Sequence, residues 1–246
     1  MPGVLKSQRE TSIRSHRALR YLAYATGEIL LIFVGITLAI TFQNSNDERN
    51  TLELELEILE SIQQNLEANL SDLNRNIMED EESLQLLDVV LEHMNDARPW
   101  NDSLEESLGI AMRWSSPFFA TSGYENLRQL GLHLVSDDDI RDQLVHLFEN
   151  TYARLIGDFD ASFWAFYEAV VLPVRNRELD RIDPSGDGSR ALRVRDYEGA
   201  LRRGELVALL TESRYLLVIG LQAREEARDE TVELLTALQQ YLSEDL

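Results

Sequence analysis

The residues of this chain that could do chemistry are four histidines, an acidic glycine-containing loop and one carboxylate inside an apolar run. His16, His93, His133 and His146 are scattered, with no H-x-x-x-H spacing to bring two imidazoles onto one helix face around zinc. Asp183, Ser185, Asp187 and Gly188 match positions 1, 3, 5 and 6 of a calcium loop, in which oxygen ligands converge as the glycine turns sharply. The twelfth position must bring a bidentate carboxylate, and Val194 stands there. There is no cysteine for thiolate chemistry, no G-x-S-x-G elbow, no phosphate-binding G-K-[ST] and no G-x-G-x-x-G. The expectation is a protein that is not an enzyme, with no catalytic residue, no cofactor and no metal.

Glu28 is the carboxylate that needs a reason. The uncharged run from Ile29 to Phe42 is 14 residues long, about 21 Å of helix against a hydrocarbon core of about 30 Å. Extending it back to Tyr21 gives 22 residues and a sufficient span, with Glu28 inside it. At 100° per residue, Tyr21, Tyr24, Glu28, Gly35, Ala39 and Phe42 fall on one narrow face. Small residues beside a polar group are what a membrane helix offers a neighbouring helix, so Tyr24, Glu28, Gly35 and Ala39 are the expected helix–helix interface. The competing reading is that Glu28, two turns from the span's start, reaches for headgroups with no protein partner.

Charge is divided about this segment. Residues 1–20 carry Lys6, Arg9, Arg14, Arg17 and Arg20 against Glu10, a net +4, which leaves −25 for the rest of a chain whose total is −21. Positive charge on the short side of a span predicts a cytoplasmic N-terminus, with Arg14, Arg17 and Arg20 at the headgroups, and an acidic domain outside. A cleaved signal peptide would need an A-x-A site, for which Ala39-Ile40-Thr41 is a poor substitute. The acid excess argues against nucleic acid as a partner.

The elements that hold these residues are helical. From Leu52, alternating steps of four and three reach Met94 through thirteen positions, eleven of them apolar, with Gln63 and Asp80 as the polar exceptions. This predicts a long helix over about 50–97 with a coiled-coil-like seam, ending before Pro99. The seam either joins two chains or packs on later helices of its own chain. A break at Glu79–Glu82 would make it a hairpin. Short helices follow within about 102–131, the second capped by Thr121 or Ser122 and closed by Gly131. Ser136, followed by three aspartates, starts a helix over about 137–172 that Pro173 stops. Its aromatics, Phe159, Phe163, Trp164, Phe166 and Tyr167, are expected to fill the core, or alternatively to line a ligand pocket. After a solvent loop at 183–189, a last helix covers about 205–242.

The stretch Tyr24 to Asn44, YATGEILLIFVGITLAITFQN, resembles the N-terminal signature of an uncharacterised family of bacterial single-span membrane proteins. There Y-A-x-G-E-I precedes an apolar run with G-I-x-x-A and ends in Q-x-N. SGYENLRQLGLHLVS, from Ser122, is similar to the same family's S-x-Y-x-x-L-x-x-x-G motif. Where that family usually has a Trp between the asparagines, this chain has Ser45. The resemblance implies a membrane anchor and an α-helical outer domain, and no agreed biochemical role.

The expected protein is all-α: a basic tail (1–20), a single transmembrane helix (21–42) and an acidic extracytoplasmic helical bundle (43–246) with a long juxtamembrane helix, in a bacterial inner membrane. Its expected work is that of an accessory or scaffold subunit of a respiratory, photosynthetic or transport complex. Its expected partners are the lipid bilayer and a membrane protein or a second copy of itself, met through the span and the long helix. The alternatives are a single-pass periplasmic sensor or ligand-binding module built on the aromatic helix around Trp164, and a membrane-tethered hydrolase.

Overall fold

A computed structural model describes the backbone of residues 4–183, 186 and 191–244, and the side chains of 21, 24–183, 186 and 191–243. The described chain is all-α apart from one small hairpin. Helix α1 runs Val4–Asn95, α2 Ser103–Ala111 and α3 Ser122–Leu130. After a 3-10 turn at Leu132–Leu134, a helical run over 138–178 comprises α4 (Asp138–Val145), α5 (Ala161–Phe166) and α6 (Leu172–Glu178), joined by wider π-helical turns. Strands β1 (Leu179–Arg181) and β2 (Leu192–Val194) pair antiparallel, with Leu179 opposite Val194. Helices α7 (Tyr197–Arg203) and α8 (Glu205–Glu244) complete the chain.

The chain divides into two compact units, Met1–Glu55 and Leu56–Leu246. In the first, every described side chain from Tyr24 to Leu54 is exposed. The threonines there turn inward on their own helix: Thr37 Oγ1 donates to Phe33 O at 2.8 Å and Thr41 Oγ1 to Thr37 O at 2.9 Å. Hydroxyls satisfied by their own helix suit an apolar medium. Two helices are long and apolar enough to cross a membrane, and they differ in setting. The apolar window near the N-terminus, in the helix from Tyr24, is 0% buried, whereas that within Glu205–Ser243 is 33% buried and supplies core leucines.

In the second unit α1 buries one stripe against α2, α3, α4 and α8. Seam positions Leu59, Leu66, Leu73, Asp80, Leu87 and Met94 are buried as the spacing from Leu52 predicts. Ile77 and Leu91 of the seam are buried too, beside Asn76 and Val90, whereas at Leu56, Gln63, Leu70 and Leu84 the buried residue is the preceding one, Glu55, Ile62, Asn69 and Ser83. Asn69 and Ser83 are polar, so hydropathy alone selects Leu70 and Leu84 in their place. The helix does not break at Glu79–Glu82. It ends in a Schellman motif, with Ala97 left-handed (φ 48°), Ala97 N donating to Met94 O and Arg98 N to His93 O.

Several boundaries differ from the sequence expectation for identifiable reasons. Pro173 does not stop the helix. It sits in the first turn of α6 behind a π-helical turn at Tyr167–Val171, a wider geometry that accommodates a residue without an N–H. The cap of α4 is Asp137, whose side chain accepts from Ile140 N at 2.9 Å, while Ser136 Oγ bonds Tyr241 Oη at 2.7 Å. Thr121 stands at the N-cap of α3, but neither it nor Ser122 makes a side-chain cap bond. Asn65 of α1 does, its Oδ1 accepting from Gly123 N at 2.8 Å. Strands of three residues and the seven-residue α7 are too short for their periodicity to register. Asp196 caps α7 by accepting from Gly199 N at 3.0 Å, and left-handed Gly204 (φ 72°) separates it from α8.

Candidate functional site

The site in the second unit is built on residues 112–121, a strap without regular structure between α2 and α3. Its backbone polar groups need partners, and the side chains of α1 supply them. Asn69 Nδ2 donates to Ala120 O at 3.1 Å while Ala120 N donates to Asn69 Oδ1 at 2.7 Å. Phe118 N donates to Asp72 Oδ2 at 2.9 Å. Gly123, at the end of the strap, brings α3 so close to α1 that an added Cβ would lie 2.9 Å from Ile62 N.

Between the two apolar clusters of this unit lies a buried ion pair. Arg224 of α8 donates to Asp80 of α1, with side-chain exposures of 1% and 4%. Arg224 also donates to Ser115 O of the strap at 2.8 Å, and its Cζ lies 4.6 Å from the Trp114 ring centroid. Burial raises the Asp80 carboxyl to about 6, outweighing the pull of Arg224, and the same burial lowers the Arg224 guanidinium. Trp114 stacks on Phe163 at 3.5 Å between centroids and donates its Nε1–H to Asp160 Oδ1 at 2.7 Å. Ser116 Oγ donates to the same oxygen at 2.8 Å and accepts from Trp164 Nε1 at 3.0 Å. Of the aromatic stripe, Phe163 therefore fills core, while Trp164 is 43% exposed.

Beside Trp164 opens a cleft of about 340 Å³ lined by Gly109, Met112, Arg113, Trp114, Trp164, Tyr167, Arg175, Arg181 and Leu192. The strap, the helical run and the hairpin each contribute a wall. Arg175 Nη1 donates to Tyr167 Oη at 2.8 Å. Arg113 Nη2 donates to Glu82 Oε2 at 2.9 Å, and its Nε is buried with no partner. Behind this wall Glu178 is buried and bonded by Arg177 and Arg203, the guanidiniums holding its carboxyl below the usual range. That node ties the hairpin and α7 to the helical run.

The predicted interface residues lie in the other unit. Tyr24, Glu28 and Ala39 are exposed, and a Cβ added at Gly35 would meet nothing within 4 Å, so no described residue covers this face. The side chains of Arg14, Arg17 and Arg20, and of His16, lie outside the described residues, as do Ser185, Asp187 and Gly188 of the calcium-like loop. Val194 of that pattern is a buried strand residue. Among the described residues no three His, Cys, Asp or Glu groups converge as metal ligands. His93 bonds Pro99 O at 2.8 Å and His146 lies 3.7 Å from Glu230.

Arg113, Arg175 and Arg181 carry no signal in the sequence that marks them as cleft residues. Each looks like an ordinary surface arginine in a charged stretch, and only the tertiary arrangement brings them to one cleft. Searches among known protein families, curated proteins and solved structures find no match for this chain.

Proposed function

We propose that the protein is a membrane-anchored, non-catalytic accessory or scaffold subunit of a larger membrane assembly. The N-terminal tail is cytoplasmic in this reading and the second unit periplasmic. The observation that carries it is the apolar stretch of α1. Ile29, Leu31, Phe33, Leu38 and Phe42 are 64–79% exposed, and no described residue packs on them. Burying such side chains is worth roughly 1.5–3 kcal/mol each, so the stretch requires lipid or protein around it. Glu28, with Gly35 and Ala39 on the same face, supplies a reason to prefer a protein neighbour on that side: a carboxylate in hydrocarbon is costly, and small residues let a partner backbone approach. The likeness of residues 24–44 to a family of single-span bacterial membrane proteins agrees with it.

Purification from membranes in mild detergent, with identification of co-purifying chains, tests the reading. The wild type is expected to run in a complex, and Glu28→Gln with Gly35→Leu to reduce its size. A wild-type protein that runs alone as a monomer sinks the scaffold reading.

A further inference from the structure

We propose that the cleft beside Trp164 binds a small organic anion, a carboxylate or phosphate carried on a flat apolar body, with Arg175 and Arg181 as the groups that take the charge. In the unit Leu56–Leu246, among the described residues, every arginine but these two lies within ion-pair distance of a carboxylate. The chain has 44 acidic against 23 basic residues, so carboxylates are plentiful. Arg175 is bonded to a neutral phenol, and among the described residues Arg181 has no side-chain partner and no carboxylate lines the cleft that both share. Guanidinium forks left open in this way match the paired oxygens of a carboxylate or phosphate.

The other walls describe the rest of the ligand. Trp164 is anchored through its indole N–H on Ser116 yet remains 43% exposed, and Tyr167 stands edge-on to it at 5.4 Å between centroids. With Met112 and Leu192 they make an apolar surface for a planar group. The volume, about 340 Å³, is at the small end of ligand cavities and limits the occupant to about one ring and its head group. Arg113 lines the same cleft, but its guanidinium is already paired with Glu82, which leaves the charge of the ligand to Arg175 and Arg181. This site is independent of the docking face on α1, and either can fail without the other.

Calorimetric titration of the full chain in detergent with benzoate, phenyl phosphate and the neutral benzyl alcohol, with tryptophan fluorescence followed in parallel, tests it. At least one of the two anions is expected to bind and perturb the fluorescence, which also identifies the head group, while benzyl alcohol does not. Arg175→Gln and Arg181→Gln are each expected to weaken binding by about ten- to a hundredfold. Arg181 is exposed, so Arg181→Gln keeps the fold and carries the test alone if Arg175→Gln misfolds. Neither anion binding to the folded chain overturns the proposal, as does binding that Arg181→Gln leaves unchanged.

Discussion

Arg224 on α8 and Asp80 on α1, 144 positions apart in sequence, form an ion pair in which both side chains are buried. Removing one member strands the other charge away from water, whereas removing both removes the problem. Asp80→Leu or Arg224→Met alone is expected to destabilise the full chain by about 3–5 kcal/mol, and the double substitution to recover most of that. Recovery stays incomplete because Ser115 O loses its donor. Urea unfolding in detergent, followed by tryptophan fluorescence, reads all three variants. A double variant no more stable than either single one contradicts the desolvation argument.

The same pair sets a pH dependence of unusual sign. The Asp80 carboxyl titrates at about 6 in the folded chain against 3.8 for an ordinary aspartate. Between those values the folded state holds a proton that the unfolded state has released, so Asp80's contribution to stability falls as pH rises through this window. Glu178, held low by Arg203 and Arg177, runs the other way. Its contribution is present above the ordinary value of 4.5 and is lost as pH falls through its lower folded value. Unfolding midpoints measured from acid to neutral pH are expected to lose the first trend in Asp80→Asn and the second in Glu178→Gln. Profiles identical to wild type in both variants count against these assignments.

The strap is held by amide side chains, so shortening them exposes backbone. Asn69→Ala leaves Ala120 N and O without their partner and is expected to destabilise by about 2–4 kcal/mol, while Asn69→Gln, one methylene too long, restores only part. Gly123→Ala is expected to cost about 1–3 kcal/mol by pushing α3 off Ile62. An unchanged unfolding midpoint in either alanine variant contradicts the assigned contact.

One substitution is expected to stabilise. Ala97 adopts the left-handed conformation that closes α1, where a side chain is a disadvantage and glycine is the usual residue. Ala97→Gly is expected to raise stability by about 0.5–1 kcal/mol, read by the same unfolding measurement. A loss of stability would mean that glycine's added freedom in the unfolded chain outweighs the relieved strain.

What could be read in the sequence depended on whether neighbours along the chain carried the information. The period of α1 from Leu59 to Met94 is local, so the helix and most of its stripe were legible. The rest was not, because Asn69 and Ser83 are buried with hydrogen bonds to residues 51 and 27 positions away. Pro173 signalled a stop that a wider turn absorbed. The cap on α3 comes from Asn65, out of reach of any rule about adjacent residues. In the cleft, Trp164 and Tyr167 stood out as aromatics, but Arg175 and Arg181 are distinguished only by the carboxylates they lack, which exists in three dimensions alone.

The contacts of Asn65, Asn69 and Asp72 with the strap have a mechanical meaning. These side chains key α1 to successive backbone groups at Gly123, Ala120 and Phe118, so an axial slide of one helical turn, about 5.4 Å, would break all of these hydrogen bonds together. Within the second unit, piston-like travel of α1 is therefore blocked. The long helix behaves there as a fixed beam, suited to holding a position rather than relaying a displacement.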